Sequence, residues 1–281
     1  MQKAMHVPCP DPAAIHIEPF GPLFGATVTG VDLSAPLPTT TGLLLTQALN
    51  QHGVLFFRDQ QLDTRQLLDV AGIWGRPSRH NPYLPASSEH EGVEVIEVSE
   101  TRNVRNDAWH TDVSWAATPP RFTCLYSKEL PPSGGDTVWS DAAAAYDSLP
   151  APLAHYFETL KAVHAFDASG FAMGNINGER NTLLRQTFAP QEAEVIKINP
   201  DTGRKYIFSN EQHTRYLLNV SRTTSESLLR LLFATLELPE FQLRFRWQPA
   251  TLAVWDNRSV QHRAIRDYGK TRRVLLRVTV E

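Results

Sequence analysis

Apolar and polar residues alternate near both ends of the chain, and apolar residues recur at helical spacing between these regions. Residues 15–34 alternate around Gly and Pro, which predicts two short strands joined by a turn. The runs VLFFRDQ, EVIEVSE and TCLYSKEL predict further strands. Three more are expected near the C-terminus, in FQLRFRW, TLAVWDN and RRVLLRVTV.

Helical spacing predicts five helices, at 44–53, 64–75, 141–148, 152–160 and 223–238. In the last of these, Thr223 and Glu226 have the spacing of a capping box before an apolar run. Strands therefore dominate both ends of the chain, with helices inserted between them. This order favours a mainly β sandwich or barrel with helical insertions over a βαβ fold.

Two segments lack a periodic pattern. Residues 1–14 are rich in Pro and predict a loose N-terminal arm, whereas residues 168–190 are polar, contain Gly and Asn, and predict a long active-site loop or lid. No repeat, low-complexity tract or linker divides the chain, so we expect one domain over residues 1–281.

Composition limits the binding partners and the cellular compartment that we expect for this protein. The 281 residues carry a net charge of -3 without a polybasic run, which argues against nucleic acid and anionic membranes as partners. No apolar run is long enough to span a membrane, and the N-terminus does not resemble a signal peptide. Only Cys9 and Cys124 occur, without metal-type spacing, which favours a reducing compartment. We therefore expect a cytoplasmic protein.

Candidate metal ligands occur in two places. His110 and Asp112 are two residues apart, so in an extended segment both side chains face the same way. His262, near the C-terminus after a strand-like run, can supply a third ligand. Two nitrogens and one carboxylate leave the open metal positions that non-haem iron(II) oxygenases need. An isolated H-x-D motif is otherwise typical of a polar loop, so these residues need support from the rest of the chain.

That support comes from Arg273 and Arg277, which are four residues apart and lie on one face of a predicted strand. Two arginines beside apolar residues are costly to bury without anionic partners. A dicarboxylate co-substrate and an anionic substrate would supply such partners.

The chain resembles the taurine/2,4-dichlorophenoxyacetate dioxygenase family of iron(II)/2-oxoglutarate enzymes, and the taurine dioxygenases most closely, from about residue 18 to the end. The motifs that carry this resemblance are WHTDVSW (109–115), GGDTVW (134–139), FRWQP (245–249), WDNR (255–258) and QHRAIRDYGKTRRVLLRVTV (261–280). The resemblance implies a double-stranded β-helix (jelly roll) with helical insertions.

The resemblance also implies roles for individual residues. His110, Asp112 and His262 correspond to the iron ligands, while Thr137 and Arg273 correspond to the residues that bind the far carboxylate of 2-oxoglutarate. The substrate side is implied to consist of Arg277, which grips an anionic group, with His80, Tyr83 and Asn106 as polar helpers and His213 in the pocket wall. An exposed loop is an equal alternative for His80 and Tyr83.

The pocket wall departs from the taurine enzymes, which place two phenylalanines there. Gly170, next to Phe171, takes one of these positions and His213 takes the other. Because a histidine can form hydrogen bonds where the taurine enzymes are apolar, we expect a small anionic substrate that need not be taurine. Alkyl sulfates, aryloxyalkanoates and specialised metabolites are alternatives to a taurine-like sulfonate.

The implied reaction is hydroxylation of the substrate with O2, coupled to conversion of 2-oxoglutarate to succinate and CO2. A non-catalytic or zinc-loaded jelly-roll binding protein would not need the Thr137 and Arg273 pair, and a structural scaffold would leave both arginines unexplained. Family members often assemble, so the resemblance leaves a homo-oligomer open.

Overall fold

The computed structural model describes residues 15–78, 84–100, 106–166 and 188–281. Several predictions concern residues outside these ranges, namely the arm at 1–14, almost all of the lid at 168–190, and the side chains of His80, Tyr83, Gly170 and Phe171. Within the described ranges no helix combines the length and apolarity that crossing a bilayer requires.

Within the described residues the elements are mostly short strands with five α-helices between them. The strands are β1 His16–Pro19, β2 Ala26–Thr29, β3 Val54–Phe57, β4 Glu94–Val98, β5 Phe122–Glu129, β6 Thr137–Asp141, β7 Lys161–His164, β8 Gln191–Glu194, β9 Ile196–Ile198, β10 Lys205–Ile207, β11 Thr214–Leu217, β12 Gln242–Phe245, β13 Leu252–Asp256, β14 Val260–Ala264 and β15 Arg273–Val280. The helices are α1 Thr39–His52, α2 Thr64–Ala71, α3 Ala142–Asp147, α4 Ala151–Glu158 and α5 Arg222–Leu236. A short 3-10 turn, Pro239–Phe241, precedes β12.

A seven-stranded sheet in the order β1-β2-β3-β13-β5-β15-β4 forms one wall of the fold. Successive side chains along each strand point to opposite faces of this sheet, because an extended chain repeats every two residues. On β3, Leu55 and Phe57 point towards α1 and α2, whereas Val54 and Phe56 point into the interior. The outer cluster includes Leu45 and Leu67, one from each helix, so both helices shield this face from water.

A three-stranded sheet in the order β12-β6-β14 faces the inner side of the large sheet. Aromatic side chains fill the space between them: Phe56 stacks on Phe245, with ring centroids 3.9 Å apart, and Trp139 meets Trp255 edge to face. The candidate site packs directly against this aromatic cluster. A third cluster packs α3 and α5 against strands β9 and β10.

The expected mainly β jelly roll with helical insertions is confirmed. The alternation at the two ends identified the long strands correctly, and each predicted helix exists within a few residues of its expected bounds. The sequence reading missed β6, β7 and the short strands β8 to β11. It also missed β14, and His262 lies within this strand rather than after it.

The predicted cap of the last helix is wrong by two residues. Ser221 is the N-cap, and its hydroxyl accepts a hydrogen bond from the backbone N–H of Thr224 at 3.1 Å. Thr223 is already inside the first turn, so its spacing to Glu226 does not form a capping box.

We therefore expect Ser221→Ala to lower the free energy of unfolding by about 1 kcal/mol, because one orphan N–H of the first turn loses its acceptor. Thr223→Ala is the matched control and should be neutral or slightly stabilising, since alanine has the higher helix propensity. Urea unfolding of both variants measures this. A larger loss in Thr223→Ala than in Ser221→Ala would contradict the assignment of the cap.

Candidate active site

A pair of backbone hydrogen bonds brings two parts of the site together. The N–H of His110 donates to the carbonyl of His262 at 3.0 Å, and the N–H of His262 donates to the carbonyl of His110 at 2.9 Å. This isolated antiparallel bridge joins the loop before β5 to strand β14. The two imidazole rings consequently lie side by side, with centroids 4.2 Å apart.

Asp112 reaches the same place by a turn and not by an extended strand, as the two-residue spacing had suggested. Only His110 pairs as in a sheet, and the chain then turns through Val113, whose φ is 53°. A β-branched residue at positive φ is strained, which indicates that the surrounding contacts hold this turn in place. Asn210 is one such contact, because its amide Nδ2 donates to the hydroxyl of Ser114 at 2.9 Å.

The three side chains offer one ligand atom each, and these atoms lie within 4.8 Å of one another. Nε2 of His110 and Nε2 of His262 are each 4.0 Å from a different carboxylate oxygen of Asp112. The other nitrogen of His110, Nδ1, lies 2.9 Å from the carbonyl of Ala108 and must donate to it, which leaves Nε2 as a lone-pair donor towards the centre. All three side chains are buried. Two nitrogens and one carboxylate in this arrangement fit a single divalent ion with open positions.

Burial and charge set the protonation of these ligands. Burial lowers the pKa of both histidines, that of His262 to about 3, so both are neutral near pH 7. Burial alone would raise the pKa of Asp112, but the charge of Arg277, the neighbouring histidines and a hydrogen bond from Thr123 lower it to about 2. Neutral imidazoles and an ionised carboxylate are the forms that bind a metal.

Arg277 contacts this centre directly. Its Nη1 donates to Asp112 and its Nε donates to Glu94, both at 2.6 Å, and all three side chains are buried. The sequence led us to expect an anionic partner for Arg277 from a substrate, whereas the protein itself already supplies two. Sequence reasoning missed Glu94, although a signal existed: this carboxylate is in phase with Ile96 and Val98 on the buried side of β4.

Arg273 lies on the same face of β15, with Leu275 of the inner cluster between the two arginines. It is 3% exposed, and its Nη2 donates to the carbonyl of Gly135 at 3.0 Å. No carboxylate of a described residue lies within ion-pair distance of it, which is uncommon for a buried guanidinium. An anionic ligand would fit here.

The turn Gly134-Gly135 shapes this end of the site. Both glycines have positive φ, at 77° and 75°, and a Cβ on Gly135 would come within 3.1 Å of Nε of Arg273. Asp267 holds the turn by accepting a hydrogen bond from the N–H of Gly135 at 2.8 Å. Glycine is therefore required both for the backbone conformation and for the close approach of the arginine.

Thr137 starts β6 immediately after this turn, opposite Ala264 of β14, while His262 lies opposite Trp139. Residues that face one another in an antiparallel pair point to the same side, so Thr137 and His262 share a face about 7 Å apart along the strand. The hydroxyl of Thr137 is buried and accepts a hydrogen bond from the indole N–H of Trp247 at 2.9 Å.

His213 and Asn106 are the remaining expected site residues within the described ranges. His213 is buried and meets the ring of His110 edge to face, with centroids 6.3 Å apart. Burial and then the charge of His110 hold its pKa well below the usual range, so it is neutral. The backbone carbonyl of Asn106 accepts a hydrogen bond from Ala264, two residues beyond His262. His213 thus adjoins the candidate metal ligands, and Asn106 adjoins the strand that carries His262.

The chain matches known proteins over almost its entire length. The family model "Taurine catabolism dioxygenase TauD, TfdA family" covers residues 16–279. An alkylsulfatase of Acinetobacter baylyi is 34% identical over 264 residues, spanning 91% of this chain and 81% of that enzyme. An alpha-ketoglutarate-dependent sulfate ester dioxygenase of Pseudomonas putida is 31% identical, spanning 100% of this chain and 94% of that enzyme. The crystal structure of a taurine dioxygenase from Burkholderia xenovorans superposes with a TM-score of 0.82 at 30% identity, covering 95% of this chain and 90% of that one.

A jelly roll of this form, together with these matches, defines a 2-oxoglutarate-dependent dioxygenase. The chain belongs to the TauD/TfdA family of dioxygenases. The resemblance read from the five sequence motifs is confirmed.

Because several histidines are buried, we expect the metal-free protein to become less stable as the pH is lowered. Burial lowers the pKa of His164 and His262 to about 3 and also lowers those of His110 and His213. Below about pH 6.5 the unfolded chain therefore binds more protons than the folded protein. The free energy of unfolding then falls as the pH falls from about 6.5 towards 3. Each such histidine contributes up to about 1.4 kcal/mol per pH unit.

We expect His164→Leu to remove one of these contributions, because His164 lies outside the ligand cluster and no described residue bonds its Nε2. The loss of unfolding free energy between pH 6 and pH 5 should shrink by about 1.2 kcal/mol in this variant, since a histidine of the unfolded chain is not fully protonated at pH 6. Urea titrations with a chelator at both pH values measure the difference. An unchanged pH slope would mean that His164 is protonated equally in the two states.

Proposed function

We propose that the chain binds iron(II) through His110, Asp112 and His262. The observation that supports this is the convergence of two neutral imidazoles and one ionised carboxylate in a buried cluster. Charge balance supports it as well: Asp112 and Glu94 are negative and Arg277 is positive, so this group has a net charge of -1 and would be stabilised by a bound cation. Once bound, the iron would supply the oxidising chemistry that the amino acids lack.

We further propose that Thr137 and Arg273 bind the far carboxylate of 2-oxoglutarate. The main support is that Arg273 is a buried cation with no carboxylate partner among the described residues. A divalent ion together with Asp112, Glu94, Arg277 and Arg273 sums to two positive charges. The two carboxylates of the co-substrate would neutralise them, one at the metal and one at Arg273.

The substrate would be a small organic anion that ends in a sulfonate or a sulfate ester. The names of the relatives point to sulfate esters as well as to taurine, and the pocket has the neutral His213 beside the metal ligands. Arg277 would meet the anionic group, because it lies next to Asp112 at the metal end of β15. Glu94 and Asp112 would hold its guanidinium in one orientation and so restrict the position of the reactive C–H bond.

The two substrate classes lead to different products. Hydroxylation of the carbon that bears a sulfonate gives an unstable adduct, which collapses to an aldehyde and sulfite. The same step on the carbon that bears a sulfate ester gives an aldehyde and sulfate. In both cases O2 supplies one oxygen atom to the substrate and one to succinate, and CO2 leaves from 2-oxoglutarate. An assay for both sulfur anions therefore separates the two classes.

The co-substrate site is tested by Arg273→Ala and Thr137→Val. Loss of the guanidinium should weaken 2-oxoglutarate binding by at least about 30-fold, because a charge-assisted pair is worth roughly 2–5 kcal/mol. Loss of the hydroxyl should weaken it by about tenfold. The visible absorption band of the anaerobic iron(II)–2-oxoglutarate complex reports the binding. Half-saturation of Arg273→Ala at the wild-type concentration would show that another residue holds this carboxylate.

The substrate proposal predicts that alkyl sulfates or longer alkanesulfonates give faster succinate release than taurine. His213→Phe should shift the preference towards taurine, because it restores an apolar wall. Arg277→Ala should abolish coupled turnover on every anionic candidate. Succinate, sulfite and sulfate are measured for taurine, alkanesulfonates, alkyl sulfates and aryloxyalkanoates.

Because Arg277 also bonds Asp112, the metal affinity of Arg277→Ala is measured alongside. Full turnover by this variant would remove the reason for an anionic substrate. Taurine as the best wild-type substrate, with no gain in His213→Phe, would mean that His213 does not determine specificity.

A further inference from the structure

The hydrogen bond between Trp247 and Thr137 has only one permissible direction. An indole N–H can donate but cannot accept, so the oxygen of Thr137 must be the acceptor. The hydroxyl proton of Thr137 is not used in this hydrogen bond and can be donated to another acceptor. Among the described residues Thr137 donates it to no acceptor, although the side chain is 3% exposed.

A carboxylate is an acceptor only, so Thr137 can bind one only by donating this proton. We propose that Trp247 is a positioning residue for the co-substrate: by occupying one lone pair of the Thr137 oxygen, it keeps the hydroxyl turned so that its proton points to the far carboxylate beside Arg273. This inference rests on the proposed co-substrate site and adds a residue that does not itself touch the ligand.

The indole is held firmly enough to serve this purpose. The ring of Trp247 meets Phe245 edge to face, with centroids 5.4 Å apart, and lies 6.4 Å from Trp139. Phe245 pairs with Thr137 across β12 and β6, so the ring that packs against Trp247 is placed beside the acceptor. Two other indoles of this cluster, those of Trp255 and Trp139, do not bond Thr137. Trp255 bonds Asn257, and the N–H of Trp139 has no partner among the described residues.

The expected effect is on binding of one end of the ligand. Without the indole N–H, the hydroxyl can rotate and point its proton elsewhere, so part of its contribution is lost. We expect Trp247→Phe to weaken 2-oxoglutarate binding by about three- to tenfold, at most as much as Thr137→Val. Binding of 2-oxopentanoate, which has a methyl group in place of the far carboxylate, should not change.

The readout is therefore a ratio: the affinity for 2-oxoglutarate divided by the affinity for 2-oxopentanoate. Calorimetry on the Mn(II)-loaded protein measures both ligands without turnover. Trp247→Phe should lower the ratio, and combining it with Thr137→Val should lower it no further than Thr137→Val alone. The matched control is Trp74→Phe, a buried tryptophan of the outer cluster whose N–H has no partner among the described residues. It loses the same ring volume and should leave the ratio unchanged.

Trp247→His is the second variant, because Nε2–H of a neutral imidazole lies close to the position of the indole N–H. It should retain the wild-type ratio. If Trp247→Phe does not fold, Trp247→His decides alone: a retained ratio supports the proposal, and a ratio as low as that of Thr137→Val overturns it.

Three other results would overturn the proposal. These are an unchanged ratio in Trp247→Phe, an equal loss of affinity for both ligands, which indicates packing alone, and independent effects of Trp247 and Thr137 in the double variant. Failure of the co-substrate site itself is distinguishable, because Arg273→Ala and Thr137→Val would then also leave the ratio unchanged.

Discussion

The candidate metal site, formed by His110, Asp112 and His262, depends on two facing sheets being held in a fixed relation. His262 belongs to the three-stranded sheet, through β14. Asp112 is attached to the seven-stranded sheet by Thr123 of β5 and Arg277 of β15. His110 connects them, because its backbone pairs with His262 while its side chain lies beside Asp112. A shift of either sheet would separate the ligands, and the aromatic packing between the sheets resists such a shift.

The two buried arginines of β15 differ in the partners that the protein gives them. Arg277 has two carboxylate partners within the protein, whereas Arg273, four residues earlier on the same face, has a backbone carbonyl. Both guanidiniums are buried, so the difference matters energetically. Arg277 is held against Asp112 of the candidate metal site. The guanidinium of Arg273 has no carboxylate partner among the described residues, and the turn at Gly135 allows its close approach by lacking a side chain.

Two hydrogen bonds in the candidate site can form in one direction only. His110 must donate through Nδ1 to the carbonyl of Ala108, and Trp247 must donate to Thr137. In each case a group that can act in only one way determines what its partner offers to a ligand: a lone pair on Nε2 in the first case, a hydroxyl proton in the second. Burial makes both assignments rigid, since no water competes for these atoms.

The sequence by itself determined the β-rich architecture, the order of the long strands and the residue types of the site, because alternation over five to eight residues and short motifs are local properties. It also placed Arg273 and Arg277 on one face. Only the tertiary structure decided that His110 and His262 share a backbone bridge, that Asp112 arrives by a strained turn, and that Glu94 partners Arg277. These are contacts between segments far apart in the chain. Their partners are chosen by sheet register and packing, which no local pattern of residues records.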